Sequence, residues 1–231
     1  VIGGASPASI YESANEAYDP VTDTWSIKAS MPQGIRQMAA AAVDGVIYCF
    51  GGRSISTDYE TVNYAYDTVT DSWSTMAPMP TGRNGLEAEA VGGVIYAVGG
   101  RTASAPVTST NEAYDPGTNS WSSRADMPTQ RRFLGLSAVN GILYATGGSG
   151  FDESAHEAYD PATDTWTSKA PMPTGRNSLE TVVVEGIIYA IGGWDPSNEQ
   201  VLQVVEEYNP SNDNWATKSS MPTARTGLVA A

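Results

Sequence analysis

One short pattern recurs five times along this chain of 231 residues. Each copy contains a Gly-Gly pair, then a Tyr, then a Trp seven residues after the Tyr, and a Met-Pro pair six residues after the Trp. The Gly pairs begin at Gly3, Gly51, Gly99, Gly147 and Gly192, and the Trp residues are Trp25, Trp73, Trp121, Trp166 and Trp215. A repeat of about 48 residues is typical of architectures in which each unit buries its apolar faces only against its neighbours.

Length variation is confined to one segment of the repeat. The distance from the second Gly of each pair to the Tyr runs 14, 14, 14, 11 and 15 residues, whereas the spacings from Tyr to Trp and from Trp to Met are fixed. Loops that vary on a fixed framework are the usual place for recognition. The pattern therefore separates a constant scaffold from one variable connection in each unit.

Each unit carries four short strand signals, which we label a to d, and no stretch with helical periodicity. Strand a follows the Met-Pro pair, as in residues 86–91, and an apolar strand b ends at the Gly pair. A two-residue link such as Asp44-Gly45 or Asn140-Gly141 predicts a tight hairpin between them. Strand c contains the Tyr, and an Asp-rich turn leads into strand d at the Trp. The sequence predicts an all-β fold.

The Gly pair, the Tyr and the Trp seven residues later, at this period, resemble the kelch repeat, and the resemblance covers essentially the whole chain. It implies a single β-propeller over residues 1–231, with one four-stranded blade per repeat around a central channel. It also implies that residues directly after each Gly pair and six residues after each Met face a partner; Ser149 and Phe133 are such positions. The approximate units are residues 1–43, 44–91, 92–139, 140–184 and 185–231.

The two ends of the chain carry complementary parts of one unit. The N-terminus begins with the end of a strand b, Val1-Ile2, and the C-terminus ends in a strand a, residues 226–231. We predict that these segments pair within one blade and close a five-bladed ring, since closure removes sheet edges that invite aggregation. The alternative is part of a ring with six or seven blades.

Composition excludes several classes of function. The formal net charge is −14, which disfavours binding to nucleic acid or to anionic membrane. The chain has no apolar run long enough for a membrane span. A single Cys, Cys49, and a single His, His156, leave no ligand set for a thiolate or multi-histidine metal site. We therefore expect no metal, no cofactor, no membrane insertion and no nucleic-acid partner, and we expect a monomer.

Positive charge concentrates at one end of the predicted blades. With strands in the order a, b, c, d, the b-to-c and d-to-a connections lie together on one side, here called the loop rim. The Asp-rich c-to-d turns lie on the opposite rim. Four Arg residues that recur four positions after Met, namely Arg83, Arg131, Arg176 and Arg225, are interpreted as architectural. The candidate binding residues are four further Arg residues assigned to the loop rim, namely Arg36, Arg53, Arg101 and Arg132. Guanidinium groups at these positions favour an anionic ligand group such as a carboxylate.

Three further positions are candidates for binding. Alternation along strand a predicts that Glu87 and Glu180 point into the channel, either as solvated carboxylates or as groups that contact a ligand. Trp194 is the one Trp outside the repeat and begins the longest loop, where it either packs or offers an aromatic platform.

These features favour a non-catalytic binding scaffold whose loop rim and channel mouth recognise a protein, a peptide or a glycan. The alternative is a sugar mutarotase or epimerase that resembles the bacterial sialate mutarotases, which are similar in fold. In that case Glu87 or Glu180, with Arg101 or Arg132, would supply the proton transfer and the contact with the substrate. No residue is assigned a catalytic role in the favoured interpretation.

Overall fold

The computed structural model describes residues 1–6 and 10–228. The described part consists of short β-strands joined by turns, and none of its segments is a helix that could span a membrane. In chain order the strands are β1 (Glu16–Asp19), β2 (Thr24–Ile27), β3 (Ala39–Val43), β4 (Val46–Phe50), β5 (Asn63–Asp67), β6 (Ser72–Thr75), β7 (Glu87–Val91), β8 (Val94–Val98), β9 (Asn111–Asp115), β10 (Ser120–Ser123), β11 (Arg131–Arg132), β12 (Gly135–Val139), β13 (Ile142–Thr146), β14 (Ser149–Gly150), β15 (His156–Asp160), β16 (Thr165–Ser168), β17 (Glu180–Val184), β18 (Ile187–Ile191), β19 (Trp194–Asp195), β20 (Gln200–Val201), β21 (Val205–Asn209) and β22 (Asn214–Thr217).

Four antiparallel sheets of four strands form complete blades. Their strand orders are β3-β4-β5-β6, β7-β8-β9-β10, β12-β13-β15-β16 and β17-β18-β21-β22. Within each blade the strands follow one another as the predicted a, b, c and d. The inner strands β3, β7, β12 and β17 contact one another in succession. The blades are therefore arranged side by side around a channel, and the all-β propeller architecture is confirmed.

Turn chemistry sets the register of each blade. In the a-to-b hairpins, Asp44 and Gly45 have φ angles of 52° and 80°, and Asn140 and Gly141 have 51° and 81°. Two consecutive left-handed residues match the right-handed twist of the flanking strands, and Asn, Asp and Gly adopt this conformation at the lowest cost. The predicted two-residue hairpins are confirmed.

The repeated Tyr and Trp residues hold neighbouring blades together. Tyr114 is fully buried, and its ring centroid lies 5.1 Å from that of Trp121. The indole Nε1 of Trp121 donates a 2.9 Å hydrogen bond to the carbonyl oxygen of Ala77 in the preceding unit. Trp73, Trp166 and Trp215 make the same bond to Ala29, Ala125 and Ala170. The prediction that these aromatic residues pack the blades is confirmed.

The first sheet, β1-β2, is incomplete. Its strands c and d are present, and the N-terminal stub contributes one bridge between Ile2 and Asn15. Trp25 is 60% exposed, although its counterparts pack against a preceding unit. Residues 226–228 form no strand, and residues 229–231, the remainder of the predicted closing strand, lie outside the described residues. Five-bladed closure therefore stays a prediction.

Candidate functional site

The loop rim brings together two motifs that are distant in sequence. In each complete blade, the residue directly after the Gly pair forms an antiparallel β-bridge with the residue five positions after a Met. The bridged pairs are Arg36 with Arg53, Asn84 with Arg101, Arg132 with Ser149, and Asn177 with Trp194. Six predicted binding residues therefore occupy equivalent places on four blades: Arg36, Arg53, Arg101, Arg132, Ser149 and Trp194.

Arg53 already has an anionic partner. Its guanidinium group donates to Oδ1 of Asp58 through Nε at 2.8 Å and through Nη2 at 2.6 Å. The guanidinium carbon of the neighbouring Arg36 lies 5.2 Å from the centre of the Tyr11 ring, a cation–π distance. Asp58 neutralises the charge of Arg53, so this side chain is a poor candidate for binding an anion.

Arg101 and Arg132 differ from Arg53 because neither forms a salt bridge within the part of the chain that the structure describes. Each lies over an aromatic ring, Arg101 at 5.9 Å from the Tyr59 centroid and Arg132 at 5.1 Å from that of Phe133. Burial and the nearby charge of Arg101 lower the pKa of Arg132. Two half-buried guanidinium groups that repel each other are stabilised when an anion binds between them. We call them the Arg101–Arg132 pair.

Backbone hydrogen bonds form an arc around the channel mouth, through the residue six positions after each Met. The N–H of Gly85 donates to the carbonyl of Gln37, that of Phe133 to Gly85, that of Ser178 to Phe133, and that of Gly227 to Ser178, at 2.8–2.9 Å. All five residues have φ between 52° and 61°. The arc therefore fixes the inner ends of the blades at one level and sets where Phe133 points.

Phe133 carries the largest side chain on this arc. A Cβ atom at Gly85 would lie 2.7 Å from the Phe133 ring, so only glycine at residue 85 leaves room for it. The ring forms part of the wall of a cavity of about 470 Å³ at the channel mouth. Because the guanidinium group of Arg132 covers the same ring, the Arg101–Arg132 pair lies next to this cavity.

Two carboxyl groups line the cavity below the arc, as the alternation along strand a predicts. Burial, together with the charges of Glu180 and Glu89, raises the pKa of Glu87 to about 8. Burial also raises the pKa of Glu180 to about 7, although a hydrogen bond from the backbone N–H of Thr181 opposes the shift. Near neutral pH these groups exchange protons readily and donate hydrogen bonds when protonated.

The remaining candidates contribute the outer edge of the loop rim. Trp194 is half-buried, and its backbone N–H donates a 2.8 Å hydrogen bond to the carbonyl of Asn177. It belongs to the short hairpin β19-β20, where Trp194 pairs with Val201. Ser149 pairs with Arg132 in the short sheet β11-β14. Trp194 and Ser149 thus border the loop rim on successive blades.

The architectural interpretation of the recurring Arg residues is confirmed for three of them. Arg83, Arg131 and Arg176 are fully buried. Each contacts a Glu carboxylate on strand c of its own blade, at 2.8, 2.7 and 2.5 Å for Glu112, Glu157 and Glu206. Because these three charges are neutralised and hidden from solvent, the loop rim is less basic than the count of its Arg residues predicted. The positive charge of the loop rim is therefore concentrated on the Arg side chains that have no carboxylate partner in the described chain.

A family model for the KLHDC2/KLHL20/DRC7 Kelch-repeats domain matches residues 40–231. The chain belongs to the Kelch-repeat family. Among curated proteins nothing matches it. Among solved structures, the Kelch-repeat chain is similar to one described as the structure of YjhT, with 19% sequence identity and a TM-score of 0.72. That match covers 83% of this chain and 67% of the other, and at this identity the similarity shows the fold alone.

Sequence reasoning missed the aromatic partners of the Kelch loop rim. Tyr11 and Tyr59, which lie beneath Arg36 and Arg101, each precede the repeat Tyr of their unit by seven residues. These two Tyr residues could have been found from sequence, since the same seven-residue spacing occurs in the first two units. It lies in the segment of variable length, where alignment between units is least reliable.

Proposed function

We propose that this Kelch-repeat chain is a binding scaffold that holds an anionic group of a peptide, protein or glycan at the Arg101–Arg132 pair. The rest of the ligand enters the cavity beside Phe133. One observation carries the proposal: Arg101 and Arg132 have no carboxylate partner in the described chain and lie close enough for the charge of Arg101 to lower the pKa of Arg132. Arg53, Arg83, Arg131 and Arg176 each have a carboxylate partner, whereas Arg36 also has none in the described chain but lies over the ring of Tyr11. The aromatic rings beneath the pair fix both guanidinium groups, which reduces the entropy lost on binding.

The lining of the cavity suits a ligand with hydroxyl or amide groups. Burial raises the pKa of Glu87 to about 8, so this carboxyl is mostly protonated at pH 7, whereas Glu180, with a pKa of about 7, is divided between its protonated and ionised forms. Gln37 and Ser178 also line the cavity, where they add an amide and a hydroxyl group to the apolar ring of Phe133. Few polar groups in a partly apolar cavity are typical of small-ligand sites.

Arrays of acidic peptides and of glycans with and without carboxylate groups provide the probes for a test. We expect Arg101→Ala combined with Arg132→Ala to weaken the best hit at least about tenfold, because charge-assisted hydrogen bonds are lost. The slope of log affinity against log salt concentration should decrease as well. Arg53→Ala is the matched control, since Asp58 already neutralises that side chain, and it should change affinity less than about twofold. Equal losses in both variants would contradict the proposal.

A sugar mutarotase is the second candidate, and the raised pKa values of Glu87 and Glu180 favour it. A group whose pKa is near the working pH is suited to proton transfer. The two functions differ in their response to Glu87→Gln and Glu180→Gln. A scaffold should keep its ligand within a few-fold, whereas a mutarotase should lose the catalysed exchange of sugar anomers, measured by NMR line shapes. Anomer exchange that depends on either Glu would replace the scaffold proposal.

A further inference from the structure

The dipeptide Asn-Gly occurs twice in this chain, and its two copies lie in different surroundings. They are Asn84-Gly85 and Asn140-Gly141. An Asn that precedes Gly can react with its own backbone, because a glycine has no Cβ atom to keep its amide nitrogen away from the Asn side chain. The two copies share this local chemistry, so the surrounding structure determines which of them is able to react.

The first copy is held by hydrogen bonds at both of the groups that would react. Asn84 is 3% exposed, and its Nδ2 donates a hydrogen bond of 2.6 Å to the carbonyl of Asp58. The backbone N–H of Gly85 donates a 2.9 Å hydrogen bond to the carbonyl of Gln37. Reaction at Asn84 therefore requires these contacts to open first, which costs free energy.

The second copy lies at the tip of the β12-β13 hairpin, and both of its residues are exposed. The strand pairing ends at Val139 and Ile142, so Asn140 and Gly141 lie outside the ladder. Among the residues that the structure describes, the side chain of Asn140 and the backbone N–H of Gly141 have no hydrogen-bond partner. Both reacting groups are therefore accessible to water without any opening of the fold.

We propose that Asn140 is a site of spontaneous deamidation. The backbone nitrogen of Gly141 attacks Cγ of Asn140, and a new C–N bond closes a five-membered succinimide ring. The bond from Cγ to Nδ2 breaks, and ammonia leaves with the proton that the backbone nitrogen gives up. Water then adds to one of the two ring carbonyls and opens the ring, which leaves either Asp or isoaspartate at residue 140. Water is the one co-reactant, and nothing is oxidised or reduced.

The two products differ in how they fit the hairpin. Asp at residue 140 reproduces the Asp44-Gly45 hairpin of this chain, whose φ angles of 52° and 80° match the 51° and 81° found at residues 140 and 141. Isoaspartate instead carries the main chain through Cβ and adds one carbon atom to the backbone. Because the turn sets the register of a two-residue hairpin, this longer connection disturbs the pairing of Val139 with Ile142.

The position of the hairpin extends the consequence beyond the turn. Strand β12 is the inner strand of its blade and contacts the inner strands β7 and β17 on both sides. A loss of register that begins at residue 140 therefore weakens two interfaces between blades. The reaction involves neither residue of the Arg101–Arg132 pair, so the inference is independent of the proposed binding site.

Incubation of the whole folded chain in mildly alkaline buffer, followed by peptide mapping with mass spectrometry, tests the inference. The alkaline buffer speeds the reaction because the backbone nitrogen attacks after it loses its proton. We expect the peptide that contains Asn140 to acquire the mass change of deamidation at least about tenfold faster than the peptide that contains Asn84. Labelling with an isoaspartate-specific methyltransferase should mark the same peptide. Equal rates at the two sites, or faster reaction at Asn84, would overturn the inference.

The same incubation in concentrated urea shows whether the fold is responsible. Unfolding removes the hydrogen bonds of Asn84 and Gly85, so both copies should then react at rates within about twofold of each other. A preference for Asn140 that persists at full size in urea would mean that neighbouring sequence, rather than structure, selects the site, and it would contradict the inference.

Asn140→Gly is the matched variant, because it copies a hairpin that this chain already contains. Gly92 and Gly93 form that hairpin with φ angles of 60° and 81°. The variant has no carboxamide at residue 140, so its peptide should show no deamidation, and incubation should leave its urea midpoint unchanged. The parent chain should lose stability in proportion to its isoaspartate content. Methyltransferase labelling of the variant as fast as that of the parent would place the reaction elsewhere and refute the assignment to Asn140.

Discussion

His156 shows how one substitution within a repeat creates a buried titratable group. Asn63 and Asn111 stand at its position in other units, and their side-chain amides donate to the carbonyls of Ala77 and Ala125. His156 is buried, its Nδ1 lies 3.0 Å from Oγ1 of Thr146, and its Nε2 has no hydrogen-bond partner among the described residues. Burial, reinforced by the charge of Arg131, lowers the pKa of His156 to about 3.

We predict that His156 makes folding sensitive to acid. The unfolded chain takes up a proton as the pH falls below about 6.5, whereas the folded chain resists protonation down to a pH of about 3. In this interval the free energy of unfolding should decrease by up to about 1.4 kcal/mol per pH unit. His156→Asn should remove that part of the dependence, because an amide at residue 156 can donate to Ala170 without titrating. Urea unfolding of both proteins between pH 7 and 4 measures the difference, and parallel curves would refute the assignment.

The roles of residues that recur at the same position of the repeat were well predicted from sequence, and the roles of residues that occur in only one repeat were not. Fixed spacing identified the aromatic residues that pack the blades and the architectural Arg residues, since five copies restrict what a position can do. The ion pair of Arg53 with Asp58 and the ring beneath Arg101 lie in loops of variable length. Their conformation depends on contacts between units, which no single repeat encodes, so the sequence alone did not separate Arg53 from Arg101.

At the scale of the element, one buried pair of positions, the first in the connection before strand a and the second on strand c, is filled in two ways in different blades. In blade β12-β13-β15-β16, Arg131 and Glu157 form an ion pair at 2.7 Å with no exposed guanidinium surface. In blade β3-β4-β5-β6 the same two positions hold Ile35 and Tyr64, which lie in one apolar cluster with Met31. Both solutions keep strand c fixed to the connection before strand a.

The two solutions predict opposite results for single and double substitutions. Arg131→Ile alone should lower the free energy of unfolding by about 3–5 kcal/mol, because it leaves the Glu157 carboxylate buried without a partner. Arg131→Ile combined with Glu157→Tyr copies the apolar solution and should recover most of that loss. Denaturant titrations of the parent, both single variants and the double variant form a complete cycle. Additive losses in the double variant would show that the sites are not interchangeable.

At the scale of the whole molecule, stability depends on contacts between neighbouring blades. The inner strands β3, β7, β12 and β17 each pack against the inner strands of the adjacent blades, so the described blades form a series of nearest-neighbour interfaces. The position of a unit in that series therefore decides how much its Trp contributes. A closed five-bladed ring would make all five repeat Trp residues equivalent, whereas an open series leaves one of them without a neighbour.

A pair of matched substitutions distinguishes the closed five-bladed ring from the open series of blades. Trp121 donates to Ala77 at 2.9 Å, and its ring contacts Phe50 edge-on at 5.3 Å, so Trp121→Phe should lower the free energy of unfolding by about 1–3 kcal/mol. Trp25 contacts Tyr18 but is 60% exposed, so Trp25→Phe should cost less than about 0.5 kcal/mol. Both variants remove the same indole, so differences in the unfolded state largely cancel. Equal losses in urea titrations would place Trp25 against the last blade and establish the closed five-bladed ring.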